Sequence, residues 1–287
     1  MKELVVISGK GGSGKTSITA ALSQLAQKPV LCDADVDAAD LHLILSPKIR
    51  ESQEFMAGHT ASIVKERCTE CGKCLELCRF NAISADFAVD PVSCEGCGVC
   101  YYFCEDKAID FPENHSGNWY ISDTRYGTMV HARLGIAEEN SGKLVSLVRK
   151  KAAQIAETEG RELVLTDGPP GMGCPVIAAI GGAAGVLIVT EPSLSGRHDM
   201  KRVVELARHF SVPAMLCINK YDLNESISRE IRQYAKDNQV PCVGQIPFDP
   251  AMTKSMVQAR TLFEHDDKAP ACQAVREVWG EVGKHMA

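Results

Sequence analysis

A glycine-rich segment near the N-terminus limits the possible fold more than any other feature of the sequence. Residues 9–16 read GKGGSGKT, between the strand-like segment 4–8, which is apolar over 4–7, and a stretch of helical periodicity over 15–26. The pattern GxxxxGK[ST] between a strand and a helix is a phosphate-binding loop. We therefore expect the chain to begin with a strand, a phosphate loop and a helix.

Short apolar runs later in the chain have the composition of buried strands, with amphipathic segments between most of them. They are residues 30–32, 163–165, 186–189, 215–218 and 243–246. This pattern predicts the α/β class, with a mostly parallel sheet and helices on both faces. The regular spacing stops between about residues 46 and 126, which indicates an insertion flanked by hairpin strands near 53–64 and 119–130. We expect residues 1–58 and 114–287 to form the α/β domain, and residues 59–113 to form a small inserted α+β domain.

The insertion contains eight of the 13 cysteines, in two copies of the pattern CxxCxxCxxxC. This is the spacing of two-cluster bacterial ferredoxins, in which three close thiolates bind one cluster and the fourth ligand comes from the other copy. The predicted ligands of one [4Fe–4S] cluster are Cys68, Cys71, Cys74 and Cys104, and those of the other are Cys78, Cys94, Cys97 and Cys100. Zinc is the alternative, but Cys₄ zinc sites normally use two separated CxxC pairs. We expect Ile83 and Ile109 to pack against the clusters.

Charge and hydropathy disfavour several classes of function. The formal net charge is -6, which opposes nonspecific nucleic-acid binding, and no apolar run is long enough to span a membrane. Free thiols and the absence of an export signal favour the reducing cytoplasm. Residues 271–286 show the apolar stripe of a surface helix, which we expect to pack on the core.

The phosphate loop assigns chemical roles to individual residues. Backbone N–H groups of the loop cradle phosphate oxygens, Lys15 reaches the β and γ phosphates, and the Thr16 hydroxyl binds Mg²⁺. The residues expected to bind the nucleotide in this segment are Gly11, Gly12, Ser13, Gly14, Lys15, Thr16 and Ser17.

The lysine inside the loop, Lys10, resembles the signature lysine of the MinD/ParA superfamily, which also contains the nitrogenase iron protein. The resemblance implies an ATPase that forms a nucleotide-dependent homodimer, in which Lys10 acts on the partner's phosphates. The segment 33–37, DADVD, resembles the first switch of that family, with Asp35 aligning the attacking water. The segment 167–171, DGPPG, resembles the second switch, in which Asp167 holds Mg²⁺ through water and the Gly171 amide senses the γ-phosphate.

The base-binding segment is ambiguous. Residues 219–222, NKYD, match the NKxD pattern by which many GTPases bind guanine, whereas the resemblance implies that Asn219 contacts adenine. Pro170 stands where the DxxG motif of GTPases has glycine, which favours ATP. Cys174 has the same offset from Asp167 as a cluster-ligating cysteine of the nitrogenase iron protein, but residues 131–135 supply no second cysteine. We expect Cys174 to be a buried or interface thiol, with a metal or redox role as the alternative. Cys32, Cys217 and Cys242 are expected to be core residues.

The favoured function combines these sites: an ATPase with ATP, Mg²⁺ and two [4Fe–4S] clusters that couples dimer switching to electron transfer towards a redox or metalloenzyme partner. One alternative is a carrier that delivers iron–sulfur clusters or metal to an apo-enzyme. A less favoured alternative is a spatial organiser of the MinD/ParA type that binds membrane or DNA.

Overall fold

The computed structural model describes residues 1–135 and 141–286, which form two compact units. The first, here called the sheet unit, comprises Met1–Gln53, Asn118–Leu134 and residues 141–286. The second, here called the cysteine unit, comprises Glu54–Gly117 together with Gly135. The chain passes from one unit to the other inside two long strands.

Strands occur in both units. They are β1 (Lys2–Ser8), β2 (Val30–Asp33), β3 (Lys48–His59), β4 (Ser62–Ile63), β5 (Ile109–Asp110), β6 (Glu113–Asp123), β7 (Thr128–Leu134), β8 (Leu163–Pro170), β9 (Gly185–Thr190), β10 (Ala214–Asn219) and β11 (Cys242–Ile246). Strands β3 and β6 are the two that cross the boundary between the units. All five later apolar runs and both flanking segments predicted as strands are confirmed as strands.

The large sheet has nine strands in the order β11-β10-β9-β1-β8-β2-β7-β6-β3. The pairs from β11 to β7 are parallel. Strands β4 and β5 form a separate antiparallel pair in the cysteine unit. The predicted α/β class with a mostly parallel sheet is confirmed.

Helices connect most of the parallel strands. They are α1 (Lys15–Leu25), α2 (Leu41–Leu45), α3 (Lys73–Leu77), α4 (Val99–Phe103), α5 (Ser141–Thr158), α6 (Cys174–Ile180), α7 (Leu194–His209), α8 (Glu225–Asp237), α9 (Pro250–Val257), α10 (Leu262–His265) and α11 (Pro270–Met286). Helix α1 packs with α10 and α11, whereas α5 packs with α6. The crossover through α1 runs in the opposite direction along the sheet to those through α5 and α6, so right-handed connections place these two groups on opposite faces.

The change of direction beside β1 also determines where a ligand binds. Strands β1 and β8 are neighbours, and the crossovers that follow them leave in opposite directions along the sheet. In open α/β sheets, ligands bind at such a switch point, beyond the carboxyl ends of the strands. The phosphate loop, the end of β2 and the end of β8 meet at this edge.

The core predictions are confirmed in part. Helix α11 packs on the core through Val275, Val278 and Val282, which are buried, as predicted. Cys32 and Cys217 are buried in central strands. The prediction for Cys242 was wrong, because this residue is exposed at the first position of the edge strand β11.

Candidate functional site

The phosphate loop joins β1 to α1 and leaves the start of that helix open. Gly14 takes the helix N-cap position with φ 90°, a left-handed conformation that favours glycine, and no side chain caps the helix. The first N–H groups of α1 are therefore free to bind an anion. A Cβ atom on Gly14 would lie 2.3 Å from the Asn219 amide nitrogen, so the loop also needs glycine there for space.

Lys15 lies among buried carboxylates. Its ammonium is 2.9 Å from Asp167 Oδ1 and 3.3 Å from Asp35 Oδ2. Burial alone lowers the pKa of Lys15, but the carboxylates of Asp167 and Asp35 outweigh burial and raise it above its ordinary value. The structure thus brings together three predicted site residues from β1–α1, β2 and β8.

The carboxylates in this site carry more charge than Lys15 can neutralise. Asp33, Asp35 and Asp167 share one ammonium. Burial, together with the nearby Asp167 carboxylate, raises the pKa of Asp33 well above its ordinary value. Burial also raises the pKa of Asp35, to about 6, although Lys15 opposes this. A divalent cation would relieve the same excess of negative charge.

The donors around Lys15 fit a magnesium nucleotide. Asp167 Oδ2 is buried without a hydrogen-bond partner, as is the hydroxyl of Ser13 in the loop. The Thr16 hydroxyl accepts a hydrogen bond from Lys15 Nζ at 3.3 Å. Oxygen ligands of this kind, with phosphate and water, are the donors that Mg²⁺ prefers. A carboxylate oxygen and a hydroxyl are thus present where the sequence predicts them.

Lys10 contacts its own chain. Its ammonium is 2.7 Å from Glu191 Oε1 and donates hydrogen bonds to the hydroxyls of Ser193 and Ser195, each at 3.1 Å. Burial alone would raise the pKa of Glu191, but hydrogen bonds from Lys10 and Lys220 lower it below its ordinary value. The predicted action of Lys10 on a partner requires these contacts to break, and it stays a prediction.

Sequence reasoning missed Glu191, Ser193 and Ser195, and it did not foresee that Lys220 of the NKxD segment contacts the phosphate loop. Lys220 Nζ donates a hydrogen bond to the Gly12 carbonyl at 3.0 Å and lies 3.3 Å from Glu191 Oε2. Glu191 and Lys220 follow β9 and β10 directly, and Ser193 and Ser195 lie at the start of α7, the helix that follows β9. The signal was available, because residues that follow parallel strands meet at the same edge of the sheet as the phosphate loop.

Asn219 binds the phosphate loop. Its amide nitrogen donates to the Ser13 carbonyl at 2.8 Å, and its amide oxygen accepts from the Lys220 N–H at 3.0 Å. The carboxylate of Asp222 accepts from the Phe248 N–H at 2.6 Å. Asn219 and Asp222 of the NKxD pattern thus connect loops at the sheet edge, and the contact of Asn219 with adenine stays a prediction.

The remaining predicted nucleotide ligands have varied surroundings. Gly11 and Gly12 are exposed in the loop. The Ser17 hydroxyl contacts the sulfur of Met256 at 2.8 Å. The Gly171 N–H donates to the Ser8 carbonyl at 2.9 Å, so sensing a phosphate requires this bond to open. Cys174 is exposed at the first residue of α6, so it is not buried within the single chain, and its place at an interface stays a prediction.

The two cysteine copies fold alike. Gly72 and Gly98, 26 positions apart, both have left-handed backbones and precede the short helices α3 and α4. Glu70 and Gly96 have matching φ angles of 57° and 58°. The fourth cysteine of each copy, Cys78 or Cys104, is the C-cap residue of its helix. The repeat in the sequence is therefore a repeat in the backbone.

Two cavities in the cysteine unit contain the predicted ligand sets. The first cavity is lined by Cys68, Cys71, Cys74 and Cys104, and Cys100 also borders it. The second cavity is lined by Cys78, Cys94, Cys97 and Cys100. Ile109 lines the first cavity and Ile83 lines the second, and both are buried. The cavities thus combine cysteines from both copies in the crossed arrangement that the spacing predicts.

The cavities fit iron–sulfur clusters by their chemistry. Each has four thiols of the predicted set around an otherwise mostly apolar wall. The Ala108 N–H donates to Cys104 Sγ at 3.3 Å, and the Ala82 N–H donates to Cys78 Sγ at 3.4 Å, contacts of the kind that tune cluster sulfurs. Within residues 1–135 and 141–286, no three His, Cys, Asp or Glu side chains are placed to hold a metal ion. A cubane takes its four thiolates around a volume rather than at one ion.

No helix in the described part of the chain is long and apolar enough to cross a membrane.

An uncharacterized protein of Methanocaldococcus jannaschii is similar to this chain, with 35% identity over 226 residues, which cover 77% of this chain and 79% of the relative. The pyruvate synthase subunit PorD of Methanothermobacter marburgensis is also similar, with 36% identity over 45 residues. These residues cover 16% of this chain and 56% of PorD.

Comparison with solved structures gives the same fold. The septum site-determining protein MinD of Pyrococcus horikoshii, solved with Mg-ADP, aligns with a TM-score of 0.61 at 17% identity, over 99% of this chain and 96% of that chain. The sequence profile of the CobQ/CobB/MinD/ParA nucleotide-binding domain matches residues 4–262. This chain therefore belongs to the CobQ/CobB/MinD/ParA nucleotide-binding domain family.

Proposed function

We propose that this protein is an ATPase that couples nucleotide-dependent switching of a homodimer to electron transfer through two [4Fe–4S] clusters. The observation that carries the proposal is that one chain combines the Lys15 carboxylate site with two cavities, each lined by four predicted cluster ligands. We assign the ferredoxin-like domain to residues 59–113. We expect the protein to function in the reducing cytoplasm, where thiols remain free to bind metal.

At the phosphate site, the chain supplies the groups that bind and orient ATP. The N–H groups of the loop and Lys15 bind the phosphates, and Thr16 with Asp167 holds Mg²⁺. Lys15 must leave Asp35 and Asp167 to do so, which frees Asp35 to orient the attacking water. Lys10, once released from Glu191, stabilises the phosphate charge in the partner's site. Mg-ADP in the similar MinD structure supports an adenine nucleotide.

In the cysteine unit, the two crossed cysteine sets hold the clusters, which supply one-electron chemistry when bound. Ile83 and Ile109 exclude water from the inner walls. Residues 54–117 contain 11 Asp and Glu against five Lys and Arg, an excess equal to the net charge of the whole chain, -6. This charge favours a redox or metalloenzyme partner with a basic docking face.

Metal and sulfide content tests the proposal. Protein purified without oxygen should contain about eight iron and eight sulfide per chain, since the eight cysteines would hold two clusters of four iron and four sulfide each. It should also hydrolyse ATP, and the Lys15→Ala variant should keep the iron but lose hydrolysis. Zinc without sulfide would contradict the cluster assignment, and hydrolysis unchanged in Lys15→Ala would contradict the ATP site.

A carrier role is the second candidate, and the exposure of Cys71 and Cys97 favours it. Exposed ligands can be reached by the thiols of an acceptor, which is how a cluster is handed over. Incubation with an apo-ferredoxin as acceptor distinguishes the two roles. A carrier loses iron in proportion to the acceptor loaded, whereas an electron-transfer protein retains its iron through many turnovers.

A positioning role is the third candidate, because one similar solved structure is a septum site-determining protein. At 17% identity this likeness is one of fold. Cosedimentation with anionic lipid vesicles and with duplex DNA tests it. A positioning ATPase binds one of these surfaces with ATP but not with ADP, and we expect no such binding here.

A further inference from the structure

The internal repeat makes the two cavities a matched pair. Residues 26 positions apart occupy equivalent places, so Cys68 corresponds to Cys94 and Cys78 to Cys104. The hydrogen bonds to sulfur also match, since each cavity receives one backbone N–H at 3.3–3.4 Å. Differences between the cavities therefore come from the side chains that break the repeat.

The charged residues on the cavity walls differ between the two copies of the repeat. Thr69 in the first cavity corresponds to Glu95 in the second, and Asp106 in the first corresponds to Phe80 in the second. Lys73 also lines the first cavity, whereas its equivalent Val99 lines neither.

The walls consequently carry different net charges. On the wall of the first cavity, the charges of Lys73 and Asp106 sum to zero, and the Asp106 carboxylate accepts a hydrogen bond from the Thr69 hydroxyl at 2.5 Å. Lys73 also pairs at 2.9 Å with Glu105, which lies off the cavity wall and has 84% of its side chain exposed. In the second cavity, Glu95 is the one charged lining residue, and it forms no ion pair with any residue in the described ranges.

We propose that Lys73 and Glu95 make the two cluster sites unequal, so that the site of Cys68, Cys71, Cys74 and Cys104 has the higher reduction potential. This inference rests on the proposed iron–sulfur function. Reduction adds one negative charge to a site, which a neighbouring cation stabilises and a neighbouring anion opposes. Both side chains are exposed, so salt reduces the difference without changing its sign.

The unequal potentials would determine which site holds an added electron. A single electron supplied by a low-potential donor resides mostly at the first cavity, beside Lys73. The rim of that cavity includes Leu77 and Phe103, which are exposed. A partner that takes the electron is therefore expected to contact this rim.

A potentiometric titration with dithionite, monitored by electron paramagnetic resonance, tests the inference on the whole protein at low salt. We expect two reduction waves. Lys73→Gln should shift the upper wave to lower potential and leave the lower wave unchanged. Glu95→Gln should shift the lower wave to higher potential and leave the upper wave unchanged. The matched controls Lys65→Gln and Glu66→Gln alter exposed charges off both walls and should move neither wave.

The outcomes separate this inference from the function on which it rests. Two results would overturn the inference alone. One is iron and sulfide near eight per chain with one common potential for both clusters. The other is a lower wave that shifts in Lys73→Gln and an upper wave that shifts in Glu95→Gln. Protein without iron and sulfide would overturn both. Iron content measured on each variant establishes that the shifts come from charge and not from a lost cluster.

Discussion

At the scale of single residues, the nucleotide site is a balance between one ammonium and several carboxylates. Lys15 contacts Asp35 and Asp167 directly, while Asp33 accepts backbone hydrogen bonds from Asp35 and Leu41, each at 3.2 Å. The structure thus holds the predicted catalytic groups in mutual contact. Under the proposed function, binding of a magnesium nucleotide would exchange these contacts for contacts with phosphate and metal.

Asp35→Asn should stabilise the nucleotide-free protein at neutral pH while abolishing hydrolysis. Because the folded protein holds the Asp35 proton more tightly than the unfolded chain does, stability falls as pH rises from about 4 to about 6 and remains lower above it. The substitution removes this penalty, with a gain of about 1–2 kcal/mol after allowance for screening. Urea unfolding at a series of pH values measures it. The exposed Asp37→Asn is the control, and an unchanged pH slope in Asp35→Asn would contradict the assignment.

Lys10→Gln should bind ATP normally but hydrolyse it about 10²–10³-fold more slowly, the usual cost of losing one charge-stabilising group. Action across a dimer gives a sharper test. An equal mixture of Lys10→Gln and Asp35→Asn should recover about a quarter of wild-type activity, because half of the random dimers contain one intact site. A mixture as inactive as its components would place Lys10 in its own chain's site.

The success of the predictions for single residues depended on whether the sequence signal was contiguous or joined distant positions. The loop residues predicted to bind phosphate follow from a contiguous motif, whereas the contact of Lys10 with Glu191 joins residues 181 positions apart in the sequence. Cys242 shows the same limit, since an apolar run predicts a strand but not whether the strand lies at the edge of its sheet.

At the scale of elements, the two cysteine copies adopt the same left-handed backbone conformation at equivalent positions that hold different residue types. Gly96 has φ 58°, and a Cβ atom there would lie 2.4 Å from the His59 carbonyl oxygen. Glu70, its equivalent, has φ 57° and tolerates a side chain.

Gly96→Ala should therefore destabilise the cysteine unit by more than the about 1–2 kcal/mol of a left-handed backbone alone, because it adds a clash. Glu70→Gly is the matched control and should be neutral or stabilising. Iron retention during urea unfolding measures both. Equal behaviour of the two variants would show that the close approach of Gly96 to His59 is not maintained in solution.

The type of an element could be predicted where its periodicity is strong, but the residues at which it begins and ends could not. The parallel strands follow from short apolar runs, but β8 extends to Pro170 and includes the segment 167–170 that the sequence placed after the strand. The helices α3 and α4 have five residues each, too few for a helical period to emerge.

At the scale of the whole molecule, the division into two units follows from one break in the spacing of strands. The sequence could locate that break because cysteines and turn residues replace helical periodicity there. It could not show that β3 and β6 each continue from one unit into the other, because pairing between strands distant in sequence leaves no local pattern.

The central claim is that the nucleotide site and the cluster sites communicate. The most direct measurement is the electron paramagnetic resonance spectrum and reduction potential of the reduced protein with MgATP, with MgADP and without nucleotide, in wild type and in Lys15→Ala. We predict that MgATP shifts the signal or the potential in wild type and has no effect in Lys15→Ala. Identical spectra and potentials in all three nucleotide states of the wild type would contradict the account.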